Sequence, residues 1–153
     1  MAHLPVDHPL RPLYRTLAAL IGLYVLVFGV IGVAQTSGSP LFDQATPHRV
    51  LGLRTNLAFA WLSLVCGLVI LVAWMFGRNV DRLVFLVGGI VFMSVGMLML
   101  GLLRTSANFL SFSMVNCVVS FLFGLVFFAA GLYGRTGSGA VRQGQVQQAG
   151  RPH

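Results

Sequence analysis

Four long stretches without a charged side chain dominate this sequence: residues 16–42, 55–77, 83–103 and 105–134. Each is at least as long as the ~20 residues an α-helix needs to cross a hydrocarbon core of about 30 Å at 1.5 Å rise per residue. Inside them the apolar runs are about 16–34, 56–76, 83–103 and 114–133. None shows the period-2 alternation of barrel strands, and backbone amides in hydrocarbon need partners within the segment, so the runs read as helices. The expected fold is all-α: a polytopic membrane protein whose four transmembrane helices form one domain over 1–134. A tail at 135–153, built mostly of Gly, Gln, Arg and Ser, is expected to be disordered. A soluble domain of 153 residues has no interior large enough for a composition 57% hydrophobic and 8% charged.

The charges are ten Arg and three Asp, with no Lys or Glu. With the amino terminus in the cytoplasm, Arg11, Arg15, Arg78, Arg82, Arg135, Arg142 and Arg151 fall inside, and Arg49, Arg54 and Arg104 outside. That distribution follows the positive-inside rule and places both termini in the cytoplasm. Spread one or two per segment, the arginines suit anionic headgroups, so membrane lipids are expected partners and nucleic acid is not. Arg without Lys, beside abundant Gly, Ala and Val, points to a GC-rich bacterial genome and hence to the plasma membrane. Gly32-Val33-Ala34 resembles a signal-peptide cleavage site, but the preceding run of about 19 residues exceeds a signal core of roughly 7–15, so the first span is expected to be retained.

Spans two and three are joined by the short segment around Arg78-Asn79-Val80-Asp81-Arg82 and must be antiparallel neighbours. Residues 63–78, SLVCGLVILVAWMFGR, and 120–135, SFLFGLVFFAAGLYGR, match at seven of sixteen positions with an offset of 57. Spans two and four run in the same direction, so the chain reads as a parallel repeat of a two-helix hairpin, the kind that packs about an axis along the membrane normal.

Ser63 with Gly67, and Ser120 with Gly124 and Gly131, place small residues on one helix face at the spacing that lets membrane helices approach closely. Ala18, Gly22 and Gly29 in the first span, and Gly89 with Gly96 in the third, form comparable stripes. Gly67, Gly124 and Gly131 are therefore expected to be helix-packing residues. The competing reading makes Asn56, Ser63, Asn116 and Ser120 a polar cluster, the two serines about 10 Å below the outer surface by helix rise.

No Asp, Glu, Lys, Arg or His lies in the middle of a span, and such groups mark proton relays, ion paths and haem or metal ligands. No catalytic residue, cofactor or metal site is therefore expected. Asp43 and His48 in the outer loop could share a metal, but two ligands five residues apart in a Pro-containing loop are weak evidence, and both read as solvated residues. Cys66 and Cys117 differ in depth by about 10 Å along their helices, too far for a disulfide, and read as small buried apolar side chains. Trp61 near the outer side, and Trp74, Phe76 and Tyr133 near the inner side, fit an aromatic belt.

Residues 51–67, LGLRTNLAFAWLSLVCG, and 107–124, ANFLSFSMVNCVVSFLFG, resemble the two signature regions of a four-span actinobacterial membrane family known as domain of unknown function 4383. Ala107, Asn108, Phe109, Leu110 and Gly124 match the second region, and Asn56 and Gly67 the first. Where that family tends to carry a final His, this chain has Ser63 and Ser120, and where it carries a second Asn, Ala60 and Cys117. The resemblance implies the fold and the membrane setting. It also implies that, if those positions bind a ligand in relatives, this chain has kept only the positions, along with Asn56 and Asn116, and is a structural variant or one with an altered ligand.

The leading expectation is a non-enzymatic accessory or scaffold protein, packing with a membrane-protein partner or a second copy of itself. The alternatives are a small-solute or lipid carrier using the Asn and Ser cluster, and a quinone-linked redox subunit, the last by analogy with other small four-span proteins.

Overall fold

The computed structural model describes residues 10–45, 48–77 and 80–133. The expected disorder of 135–153, and the ends of the repeat at Arg78 and Arg135, lie outside them. Four helices account for most of the rest: α1 (Arg11–Thr36), α2 (Leu57–Phe76), α3 (Val80–Leu102) and α4 (Met114–Tyr133). All four are long and apolar enough to cross a membrane. At 20 residues each, α2 and α4 span about 30 Å at 1.5 Å per residue, the thickness of the hydrocarbon core. The burial pattern fits lipid as solvent: Leu20, Leu83 and Leu125 are exposed, while the buried faces carry Gly, Ala and Ser.

Local chemistry sets the helix ends. Pro occupies the first turn of α1, where its missing N–H costs nothing. Asn56 caps α2, its Oδ1 accepting from the Phe59 N–H at 2.9 Å. Gly77 ends that helix at φ +58°, a conformation favouring glycine, while its N–H donates to the Ala73 carbonyl at 3.0 Å.

α1 packs closely along α2 and α3 along α4, whereas the α1–α4 and α2–α3 seams between these hairpins are looser. Two offsets relate the hairpins: 57 residues for α2 and α4, and 67 for α1 and α3, which superposes Arg15, Gly22 and Gly29 on Arg82, Gly89 and Gly96. Equivalent contacts support the second offset. Arg15 donates to the Trp74 carbonyl at 2.7 Å and Arg82 to that of Gly131, the residue equivalent to Trp74, at 3.2 Å. The ten-residue difference between offsets is extra chain in the first connection, which holds a two-stranded antiparallel ribbon, β1 (His48–Val50) and β2 (Leu53–Thr55). Leu51 and Gly52 turn it at φ +47° and +87°, both positive, as a two-residue hairpin turn of the I′ kind requires. This ribbon is absent from the sequence expectation, where the segment reads as a solvated loop. Its Val50 and Leu53 instead pack on Phe28 of α1.

The core lies in two levels. Toward the terminal end of the bundle, Ala18 and Ile70 of the first hairpin meet Phe85 and Phe127, their equivalents in the second, so a small pair faces a large one. Toward the loop end, Phe112, Met99 and Cys117 form one cluster and Phe28, Val50 and Leu53 another. A cavity lies between the two levels.

Candidate functional site: a central cavity between the hairpins

Close helix contact prepares the site. A Cβ at Gly67 would come within 2.5 Å of the Leu26 backbone nitrogen, and one at Gly131 within 2.7 Å of that of Leu86. At Gly124 it would meet the Met93 side chain at 2.5 Å. The glycine stripes thus serve the α1–α2 and α3–α4 seams within the chain, and each second helix turns its Ser-bearing face toward the middle of the bundle.

The resulting cavity of about 70 Å³ draws its lining from all four helices, from β2 and from the connection between α3 and α4. Tyr24, Val25 and Phe28 come from α1, Leu62, Ser63 and Cys66 from α2, Val91, Phe92 and Val95 from α3, and Asn116, Val119, Ser120 and Phe123 from α4. Leu53, Phe59 and Phe112 close the loop end. Of the polar cluster expected from the sequence, Ser63, Ser120 and Asn116 line the cavity and Asn56 does not.

The two asparagines are structural ties across the hairpins. Asn116 of α4 donates from Nδ2 to the Arg54 carbonyl at 2.7 Å and accepts the Arg54 N–H on Oδ1 at 3.0 Å, pairing with β2 as a further strand would. Its Oδ1 also accepts the Ser113 hydroxyl at 2.9 Å. Asn56 reaches the other way, donating to the Phe109 carbonyl at 2.7 Å. Asn108 holds the second connection, accepting from the Phe112 N–H at 2.8 Å and donating to the Phe112 carbonyl at 2.9 Å.

Ser63 and Ser120 differ from the asparagines. They are equivalent residues, 5% and 8% exposed, and neither hydroxyl has a hydrogen-bond partner among the described residues. Unpaired hydroxyls in an apolar setting are costly, on the order of 1–3 kcal/mol each. Both line the same cavity, so a molecule there has two donor–acceptor groups to meet among aromatic and aliphatic walls. Both thiols are free, Cys117 buried and Cys66 half-buried at the wall.

Among the described residues no group of three or more His, Cys, Asp or Glu is arranged to hold a metal ion. Asp43 caps its own turn, accepting the Ala45 N–H at 2.8 Å, while His48 Nε2 lies 3.4 Å from the Ser39 hydroxyl. By sequence, Asp81 falls in the short connection between spans two and three. The structure puts it in the first turn of α3, 1% exposed and ion-paired with Arg15 at 2.9 Å. The shared Arg-x6-Gly-x6-Gly spacing of α1 and α3 was the signal that would have aligned Arg15 with Arg82 and marked Asp81 as lying inside a helix.

No curated protein and no solved structure matches the chain. A family model covers residues 15–133, which takes in all of α2, α3 and α4 and nearly all of α1. The chain belongs to the family described as Domain of unknown function (DUF4383).

Proposed function

We propose that this multi-pass protein is a non-catalytic binder of a small, mostly apolar molecule carrying a hydrogen-bonding oxygen, which sits in the central cavity. The observation that carries this reading is the pair Ser63 and Ser120: equivalent positions, more than nine-tenths buried, unpartnered, and facing one cavity. The accessory or scaffold reading draws on the glycine faces, and those are occupied inside the hairpins. The arginine distribution supports a plasma-membrane setting with both termini cytoplasmic, which makes the ribbon and second connection the outer face.

Photolabelling of vesicle-reconstituted protein with a diazirine-bearing long-chain alcohol tests the reading. The expected result is adducts on the cavity residues Val95 and Val119 that unlabelled alcohol suppresses. Ser63→Leu combined with Ser120→Leu fills the cavity and should abolish these adducts while sparing those on the lipid-facing Leu20 and Leu125. Adducts confined to lipid-facing residues in both proteins would overturn it.

A further inference from the structure

The internal symmetry is broken where the cavity meets the two looser seams, and the break selects a route of entry. At the α1–α4 seam, Tyr24 and Phe123 stand edge to face with ring centroids 5.6 Å apart at 78°. Both rings line the cavity on one side and, on the other, an open groove on the outer surface of α1 and α4. Their equivalents at the α2–α3 seam are Val91 and Cys66, so two small side chains replace two aromatic rings. The third equivalent pair, Val119 and Leu62, differs by one methylene. Tyr24, Val119 and Phe123 are all half-buried, whereas Leu62 and Val91 are each 46% exposed, so the cavity wall reaches the lipid-facing surface on the α2–α3 side.

Size points the same way. About 70 Å³ is roughly half the ~150 Å³ of an apolar cavity that accommodates benzene, enough for the end of a chain but not for a whole lipid. The remainder of a longer molecule must lie outside, and an opening toward the bilayer leaves it in hydrocarbon.

The geometry points to a lateral portal between α2 and α3, flanked by Cys66 and Val91, through which a bilayer-resident molecule enters sideways. Its class is an alkyl or isoprenoid chain bearing a hydroxyl or carbonyl oxygen, with that oxygen meeting Ser63 and Ser120. This inference rests on the cavity-binding reading above and adds the ligand's origin and route.

The test compares rates of cavity photolabelling in vesicles. Cys66→Phe with Val91→Tyr gives the α2–α3 seam the side chains of the other seam, and is expected to slow labelling of Val95 and Val119 at least tenfold. The reciprocal variant, Tyr24→Val with Phe123→Cys, is expected to leave the rate unchanged or raise it. A second route asks no variant to build a new seam: alkylating Cys66 with N-ethylmaleimide in folded Cys117→Ala protein should slow labelling likewise. Unchanged rates in both the closed variant and the alkylated protein, with wild-type cavity labelling intact, would overturn the portal alone. Absence of cavity labelling in the wild type would overturn the binding reading beneath it. Suppression by unlabelled decanol or by a short-chain quinone supports the ligand class and assigns its source, and suppression by neither overturns that class.

Discussion

Arg15 Nε lies 2.9 Å from Asp81 Oδ2, joining α1 of the first hairpin to α3 of the second. The Asp81 side chain is 2% exposed and that of Arg15 31%, so a nearly dry carboxylate is matched by a guanidinium that still reaches the surface. Arg82, equivalent to Arg15, keeps the carbonyl contact with α4 but takes only its own backbone N–H to Asp81 Oδ1, at 2.8 Å. The residue equivalent to Asp81 is Tyr14, which stacks on Tyr133 at 5.3 Å. The ion pair is thus an asymmetric addition to a symmetric frame, and it ties the terminal ends of the hairpins together.

Asp81→Asn removes the charge and keeps an oxygen for the Arg82 N–H. The expected loss is roughly 1–3 kcal/mol, below the usual range for breaking a buried pair because Arg15 remains about a third exposed and retains the Trp74 carbonyl. A double-mutant cycle with Arg15→Gln in detergent unfolding measures the coupling. Additive losses would show that the pair contributes nothing beyond its separate contacts.

The Asn116 amide satisfies both backbone groups of Arg54, so Asn116→Ala leaves a part-buried N–H and a part-buried carbonyl without their partners. A cost of about 1–3 kcal/mol is expected, concentrated on the ribbon and not on the helices. Hydrogen exchange at Arg54 should accelerate while exchange along α3 stays unchanged. Uniform acceleration along the chain would mean that Asn116 supports the whole bundle.

Alanine at equivalent glycines should have unequal effects. At Gly67 the added methyl meets the Leu26 backbone at 2.5 Å, which moves only with α1, whereas at Gly124 its nearest neighbour is Cγ of the Met93 side chain, with the Gly89 and Met93 backbones farther off at 3.0 Å. Gly67→Ala is therefore expected to cost about 1–3 kcal/mol and Gly124→Ala less, as overpacking costs scale with how readily the neighbour yields. Gly88, where an added Cβ would have nothing within 4 Å, should accept Ala at no cost or with a gain of roughly a few tenths of a kcal/mol. Melting temperatures in one detergent rank the three, and equal values for Gly67→Ala and Gly124→Ala would contradict the seam geometry.

The helices were legible in the sequence because lipid demands long uncharged runs, and α2 and α4 begin and end within a residue of those runs. The repeat was legible in its second helices, where Ser63/Ser120 and Gly67/Gly124 sit in matching registers. In the first helices only Arg15/Arg82 and the paired glycines survive, at a different offset, and the ten extra residues of the first connection hid it. The ribbon escaped notice because its strands are three residues each, too short for a periodic signal, and are held by tertiary contacts to Asn116 and Phe28. Of the polar cluster, composition identified the residues but not their roles: the asparagines satisfy backbone groups, and the serines alone remain unpaired.

That difference leads to a prediction about the serines themselves. Neither hydroxyl has a partner among the described residues, so Ser63→Ala and Ser120→Ala remove a polar group from the cavity wall without breaking a hydrogen bond. Each is expected to stabilise the protein measured without added alcohol by about 0.5–1 kcal/mol, the desolvation cost of a hydroxyl that no protein group meets. The same changes should reduce the stabilisation produced by added decanol, because the oxygen of the alcohol loses its partner on the wall. Opposite signs in the two measurements, a higher melting temperature without the alcohol and a smaller increase with it, are what a ligand-binding pair requires, since stability is lost at sites kept for function. If both serines were packing residues, alanine would lower the first value and leave the second unchanged.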